Sequence, residues 1–460
     1  VAIKPPYEKQ DAENRPLKTN ISLKQINTLA IPAIIAGISE PILSLTDAAI
    51  VGHIPIRATE SLAAVGVVTA FLSMLIWVLG QSRSAISSII SQYVGANKLE
   101  EVKNLPAQAI AIILGISLVV CGLTYPFSTA IFKLYNASGL LLDYSVSYYK
   151  IRIIGLPFTL YTFAVFGVFR GLQNTYYPML IAITGALVNI VLDFVLVYGI
   201  KDLFLPLNLK GAAIASVLSQ FLMAVLATHF ILKKTEIPLR FSRPFNKEIP
   251  QFLNMIGHLI IRTLALNTAL YFATRYATGY GNEYIAAYTI SINLWFFAAF
   301  AVDGYASAGN ILSGKLFGAK NYHLLVQLSN RLIKYALIVG VVMGCIGALL
   351  YKPIGSTFTN DPVVLETFYD VFWIVLLMQP FCALAFVFDG IFKGLGKMKD
   401  LRNVLLLATL FVFLPVLFIT NYHGWKLHGV FTAFTLWMIA RGIPLVIKFR
   451  KQFLPHVQNH

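Results

Sequence analysis

The sequence predicts an all-α polytopic membrane protein, with twelve transmembrane helices in two parallel six-helix repeats. Three observations carry that prediction. Of the 460 residues, 57% are hydrophobic and only 12% charged, with a mean hydropathy of +0.72, whereas an ordinary soluble domain is about 25% charged. Apolar runs long enough to cross a bilayer, roughly 20 residues each, recur along the chain. Short motifs in the first half return in the second at one constant offset.

The runs come in order. Residues 1–24 are polar, charged and Pro-containing and show no signal-peptide pattern, so they read as a cytoplasmic tail. Spans follow at about 25–51, 62–90, 105–124, 146–169, 177–200 and 211–232, which together form an N-terminal lobe, 25–232. The basic segment 233–250, "KKTEIPLRFSRPFNKEIP", is the natural boundary. Six more spans, at about 251–278, 285–313, 332–351, 367–391, 403–420 and 429–447, form a C-terminal lobe, 251–447, and residues 448–460 end the chain as a second cytoplasmic tail.

The net charge of +16 suggests nucleic acid at first sight. Its distribution argues otherwise. With the N-terminus inside, 23 Lys/Arg lie in inner segments, 6 in outer loops and 7 within spans. That is the cytoplasmic bias of a membrane protein and places both termini inside. The three cysteines, Cys121, Cys345 and Cys382, sit in apolar runs without metal-type spacing.

The repeat appears when "SQYVGANK" is set on "GKLFGAKN", which aligns Gly95 with Gly318 at an offset of 223. At the same offset Ala63-Ala64 meets Ala286-Ala287, and "GVFRGL" from Gly167 meets "GIFKGL" from Gly390. Lys210-Gly211 meets His428-Gly429 at 218, as though one outer loop were five residues shorter. Six spans per half make the two halves insert in the same orientation. Parallel repeats of this kind are a transporter architecture.

The stretch "SEPILSLTDAAIVGH" raises the chemical question. It puts Glu40 and Asp47 in an apolar helix with Pro41, and Pro32 upstream, although a carboxylate at the centre of a membrane helix costs about 2.5–3.5 kcal/mol. Asp47 lies six residues before His53, and Asp193 eight before Lys201, so both sit about 9–12 Å below the outer boundary. Asn189, four residues before Asp193, projects from the same face. Their counterparts in the second repeat are Leu270, Val412 and Val416, so an acidic chamber is expected in the first half alone. One reading is a proton- or cation-binding site; the other is that Asp193 pairs with an arginine or reaches outward. Pro32 and Pro41 each remove a backbone hydrogen bond and read either as passive kinks or as a hinge.

In the second half, Asp303 and Arg262 lie near mid-depth, and a buried ion pair between them is preferred to a second site. Asp389, four residues from Lys393, is expected to be solvated near the inner surface. Arg83 and Arg275 either bind anionic groups or snorkel. No zinc-protease motif or Ser–His arrangement stands out, and "GLGKMKD" at 394–400 fails the pattern of an intramembrane aspartyl protease. The expectation is no enzyme, no metal and no cofactor.

"EPILSLTDAAIVG", "RGLQNTYYPM", "SQYVGAN" and "NIVLD" together resemble the multidrug and toxic compound extrusion (MATE) family, and the first two its DinF-type branch. The resemblance spans about residues 20–450. It implies a two-lobed, V-shaped exporter that works by alternating access, with Asp47, Asn189 and Asp193 as the cation site and Pro32 as the kinking proline; Glu40 is a further candidate, to replace or assist Asp47. Asn174 stands where an acid is commoner. The expected activity is proton-coupled antiport of amphipathic, cationic organic compounds, by a monomer in a bacterial inner membrane. Sodium coupling and a flippase for lipids or lipid-linked sugars remain as alternatives.

Overall fold

The computed structural model describes residues 21–54, 57–135, 137–199, 205–359 and 361–458, and among these every regular element is helical. Within a bilayer no water is present to satisfy the backbone, so a helix, which bonds its own carbonyls, is the economical solution for each apolar run. The helices are α1 Leu23–Gly52, α2 Ala58–Leu79, α3 Ser82–Gly95, α4 Leu105–Thr124, α5 Ser128–Leu134, α6 Gly139–Arg152, α7 Leu156–Gly171, α8 Tyr176–Tyr198 and α9 Asn208–Lys234. They continue as α10 Ile249–Tyr280, α11 Asn282–Gly318, α12 Tyr322–Phe358, α13 Pro362–Gly394, α14 Met398–Ala408, α15 Leu414–Tyr422, α16 Lys426–Phe453 and α17 Pro455–Gln458.

Eleven helical stretches among the described residues are long and apolar enough to cross a membrane, running from 60–95 to 426–457. The 30-residue α1 occupies the place of the remaining predicted span. Several spans are joined helices, and their joints have local causes. Between α6 and α7 one 3₁₀ turn, Ile153–Gly155, precedes Pro157, which has no N–H to donate. The fourth span runs through this joint from Gly139 to Gly171, starting earlier than the apolar run suggests. Between α14 and α15 the helix widens into a π turn, Thr409–Phe413, just ahead of Pro415.

The ends are chemically capped. Asn174 Oδ1 accepts from the backbone N–H of Tyr176 at 2.9 Å and of Tyr177 at 3.3 Å, starting α8. The amide thus does at this position the capping that the acid expected from the resemblance would also do. Asn321 and Asp361 start α12 and α13 in the same way, accepting from Leu324 and Val363.

The chain divides into two compact units. Of the described residues, one holds those within 35–90 and 98–256, the other those within 21–34, 91–97 and 257–458. The first helix is thus shared: its stretch to Ile34 belongs to the second unit and its continuation from Ile35 to the first.

Packing within each unit repeats at the offset seen in the sequence. In the first, a Cβ on Gly167 would strike the main chain of Arg83, and one on Gly171 would strike Ile90. In the second, Gly390 lies as close to the main chain of Ala306, and Gly394 to Ser313. Each of these contacts maps onto the other by adding 223. The glycines of the repeated motif are therefore there to let two helices approach backbone to backbone.

Candidate functional site

The first unit buries an acidic group. Asp47, from α1, is 6% exposed; Asn189 and Asp193, from α8, are fully buried, as the i, i+4 spacing predicts for one inward face. The Asp47 and Asp193 carboxyls face each other closely enough to interact directly. Asp47 Oδ2 also accepts from the Ser216 hydroxyl of α9 at 3.5 Å. At the end of α8, the Tyr198 hydroxyl donates to the Ile50 carbonyl at 2.9 Å and ties the two acid-bearing helices together.

A cation stands beside the acids. Arg152, in the last turn of α6, acts electrostatically on both carboxyls, and Tyr148 one turn earlier is buried against the same three charges. Even so the polar inventory is incomplete. Asp47 Oδ1, both Asp193 oxygens, both amide atoms of Asn189 and Arg152 Nε are buried without a hydrogen-bond partner among the described residues. A buried polar group left unpaired costs about 1–3 kcal/mol. Their gathering at one spot makes this group the candidate site.

Sequence reasoning found Asp47, Asn189 and Asp193 but not Arg152, Tyr148 or Ser216. The available signal was that Arg152 is one of only seven basic residues inside the predicted spans. The side chains of Glu40 and Pro41 lie outside the described residues, although the backbone of α1 is helical through both. Pro32 is half-buried in the same continuous helix, two residues before the point where the helix passes from one unit to the other. No group of three or more His, Cys, Asp or Glu suited to a metal occurs among the described residues.

In the second unit two expectations are corrected. Arg262 does not pair with Asp303; its Nη2 lies 2.6 Å from Asp389 Oδ1. Asp303 is exposed. Nor is Asp389 solvated: it is 7% exposed, held by Arg262, by Lys393 at 3.1 Å and by Arg441 at 3.8 Å. Depth along the chain made Arg262 and Asp303 look like partners, but Asp303 points from the exposed face of α11 while Asp389 points inward from α13. Arg83 stacks over the Phe163 ring at 5.0 Å, and Arg275 is exposed.

Comparison with known proteins agrees with the architecture. A family model described as MatE matches residues 32–195 and 259–419. The DNA damage-inducible protein F of Escherichia coli K12 is 25% identical over 431 residues, 92% of this chain and 91% of that protein. The multidrug export protein MepA of Staphylococcus haemolyticus is 26% identical over 72% of this chain and 73% of its own length. Among solved structures, the Vibrio cholerae MATE transporter VcmN in its bent form superposes with a TM-score of 0.84 at 20% identity, covering 94% of this chain and 97% of that one.

Proposed function

This chain belongs to the MatE family, and from that footing we propose that it is a proton-coupled antiporter exporting amphipathic, cationic organic compounds by alternating access. The supporting observation is the charge balance of the first unit. Two carboxylates, Asp47 and Asp193, share one guanidinium, Arg152. With both acids ionised the group carries one uncompensated negative charge away from water, a costly arrangement. One proton closes the balance and supplies the hydrogen between the facing carboxyls, and an amphipathic cation closes it equally well. Two ligands competing for one charge deficit give exchange, because each binds best where the other has left.

The bend that would convert this exchange into transport is assigned to α1 near Pro32, where the helix lacks one backbone donor and passes from one unit to the other. A gradient of one pH unit supplies about 1.4 kcal/mol per proton, enough for about tenfold accumulation at one-for-one exchange. Both termini are assigned to the cytoplasm, from the distribution of Lys and Arg.

Sodium coupling is the second reading, favoured by the neutral oxygens of Asn189 and Ser216 beside the two acids, since hard cations take oxygen ligands. The flippase reading is weaker. Arg262 is engaged by Asp389, Arg83 by Phe163, and Arg275 is exposed, so each has a local setting of its own. The test is efflux of a fluorescent cation from proteoliposomes under an imposed pH gradient, with and without sodium. Proton-driven efflux lost in both Asp47→Asn and Asp193→Asn supports the proposal; efflux that follows sodium alone, or survives both substitutions, overturns it.

A further inference from the structure

The second unit buries more positive charge than it neutralises. Arg262 from α10, Lys393 from α13 and Arg441 from α16 converge on the single carboxylate of Asp389. Oδ1 faces both arginines and Oδ2 faces the lysine, so three cations share one anion. Asp303 lies near enough to act on Lys393, but it is exposed and makes no ion pair among the described residues. Even with Asp303 counted, the basic groups outnumber the carboxylates three to two. The side chains of Arg262 and Arg441 are 6% and 4% exposed, so that excess is not dispersed by water.

The hydrogen-bonding capacity is also underused. A guanidinium has five N–H donors in a planar fork that suits a carboxylate or phosphate. Arg262 engages Asp389 through Nη2, while its Nε is buried without a partner among the described residues. Arg441 spends itself on soft contacts: the Phe386 and Trp437 rings, each 5.3 Å away, and the Met438 sulfur at 3.9 Å. A cluster that existed only to neutralise Asp389 would need one arginine.

We propose that this cluster is a binding site for an anionic group, a carboxylate or phosphate held by the unused donors of Arg262 and Arg441 with Lys393 alongside. The site lies wholly in the second unit and does not depend on the coupling chemistry assigned to the first. Its ligand is a soluble organic anion or a lipid headgroup, which share the same recognising chemistry.

Arg441 stacks on Trp437, so occupancy is expected to change that residue's fluorescence. The protein carries five tryptophans, and Trp437→Phe identifies the signal. The full chain in phosphatidylcholine nanodiscs is titrated with inorganic phosphate and with succinate, and separately reconstituted in phosphatidylglycerol. A saturable change with either soluble anion, absent in Trp437→Phe, supports the site. So does a change on entering phosphatidylglycerol that soluble anions no longer add to, which identifies a lipid occupant. In Arg262→Gln the apparent Kd is expected to rise about tenfold or more, the effect of losing one charged hydrogen bond, and Arg262→Lys is expected to restore much of it. Lys393→Gln serves as a second variant should Arg262→Gln fail to give monodisperse protein. No change with any of the three probes in monodisperse native protein, or unaltered affinity in the neutral variants, overturns the proposal.

Discussion

Gly95 and Gly318 stand 223 residues apart and pack reciprocally: Gly95 lies against the Lys315 carbonyl, and Gly318 against the carbonyl of Gln92. Gln92 and Lys315 are themselves equivalent at that offset, so the contact returns to itself when the repeats are exchanged. Two equal chain segments that meet in this way do so about a two-fold relation, as self-complementary interfaces do.

The first prediction follows from that reciprocity. Gly95→Val and Gly318→Val should each lower thermal stability in detergent by comparable amounts, about 1–3 kcal/mol from overpacking. Gly167→Val and Gly390→Val, whose contacts are also equivalent, should form a second matched pair. Unequal losses within a pair, one near zero and the other large, would refute the equivalence of the packing.

The Asp389 cluster separates two acids that residue counting treats alike. Asp389→Asn leaves three buried cations without their carboxylate, and breaking a buried pair in this way costs about 3–5 kcal/mol. Asp303→Asn, at an exposed position without an ion pair among the described residues, should stay within about 0.5 kcal/mol of native. Thermal unfolding of the two variants side by side decides the matter, and a larger loss for Asp303→Asn would reverse the assignment.

Arg152 supplies the countercharge to the Asp47–Asp193 pair, so Arg152→Gln should raise the deficit from one charge to two. The expected result is a change in protons taken up per transport cycle from one toward two, read from internal and external pH in proteoliposomes against substrate flux. An unchanged ratio with unchanged flux would remove Arg152 from the site.

The segment between the halves is anchored rather than loose. Gln108 donates to the carbonyls of Ser242 and Pro244 at 2.8 and 3.0 Å and accepts from the Asn246 N–H at 2.8 Å. Gln108→Ala should release these bonds, about 1 kcal/mol each at most, and speed tryptic cleavage after Arg240, which is already exposed. Equal cleavage rates in native and variant protein would show that the anchor does not restrain the segment.

Much of the molecule is legible in the chain alone, because what is legible is local. Apolar runs of bilayer length, proline and asparagine at helix joints, and glycines recurring at 223 are each carried by a few consecutive residues. Asn189 and Asp193 share a face because the helical period puts them there. The choice of partner between distant helices is another matter. That Arg262 meets Asp389 rather than Asp303, that Arg152 reaches the two acids, and that α1 divides its contacts between the units depend on how each helix is rotated about its own axis and which neighbours it packs against. One residue along a helix turns a side chain by about 100° while shifting its depth by only about 1.5 Å, enough to take it from the interior to the surface. Sequence therefore determined the spans, the repeat and the acids; only tertiary packing decided which charges meet.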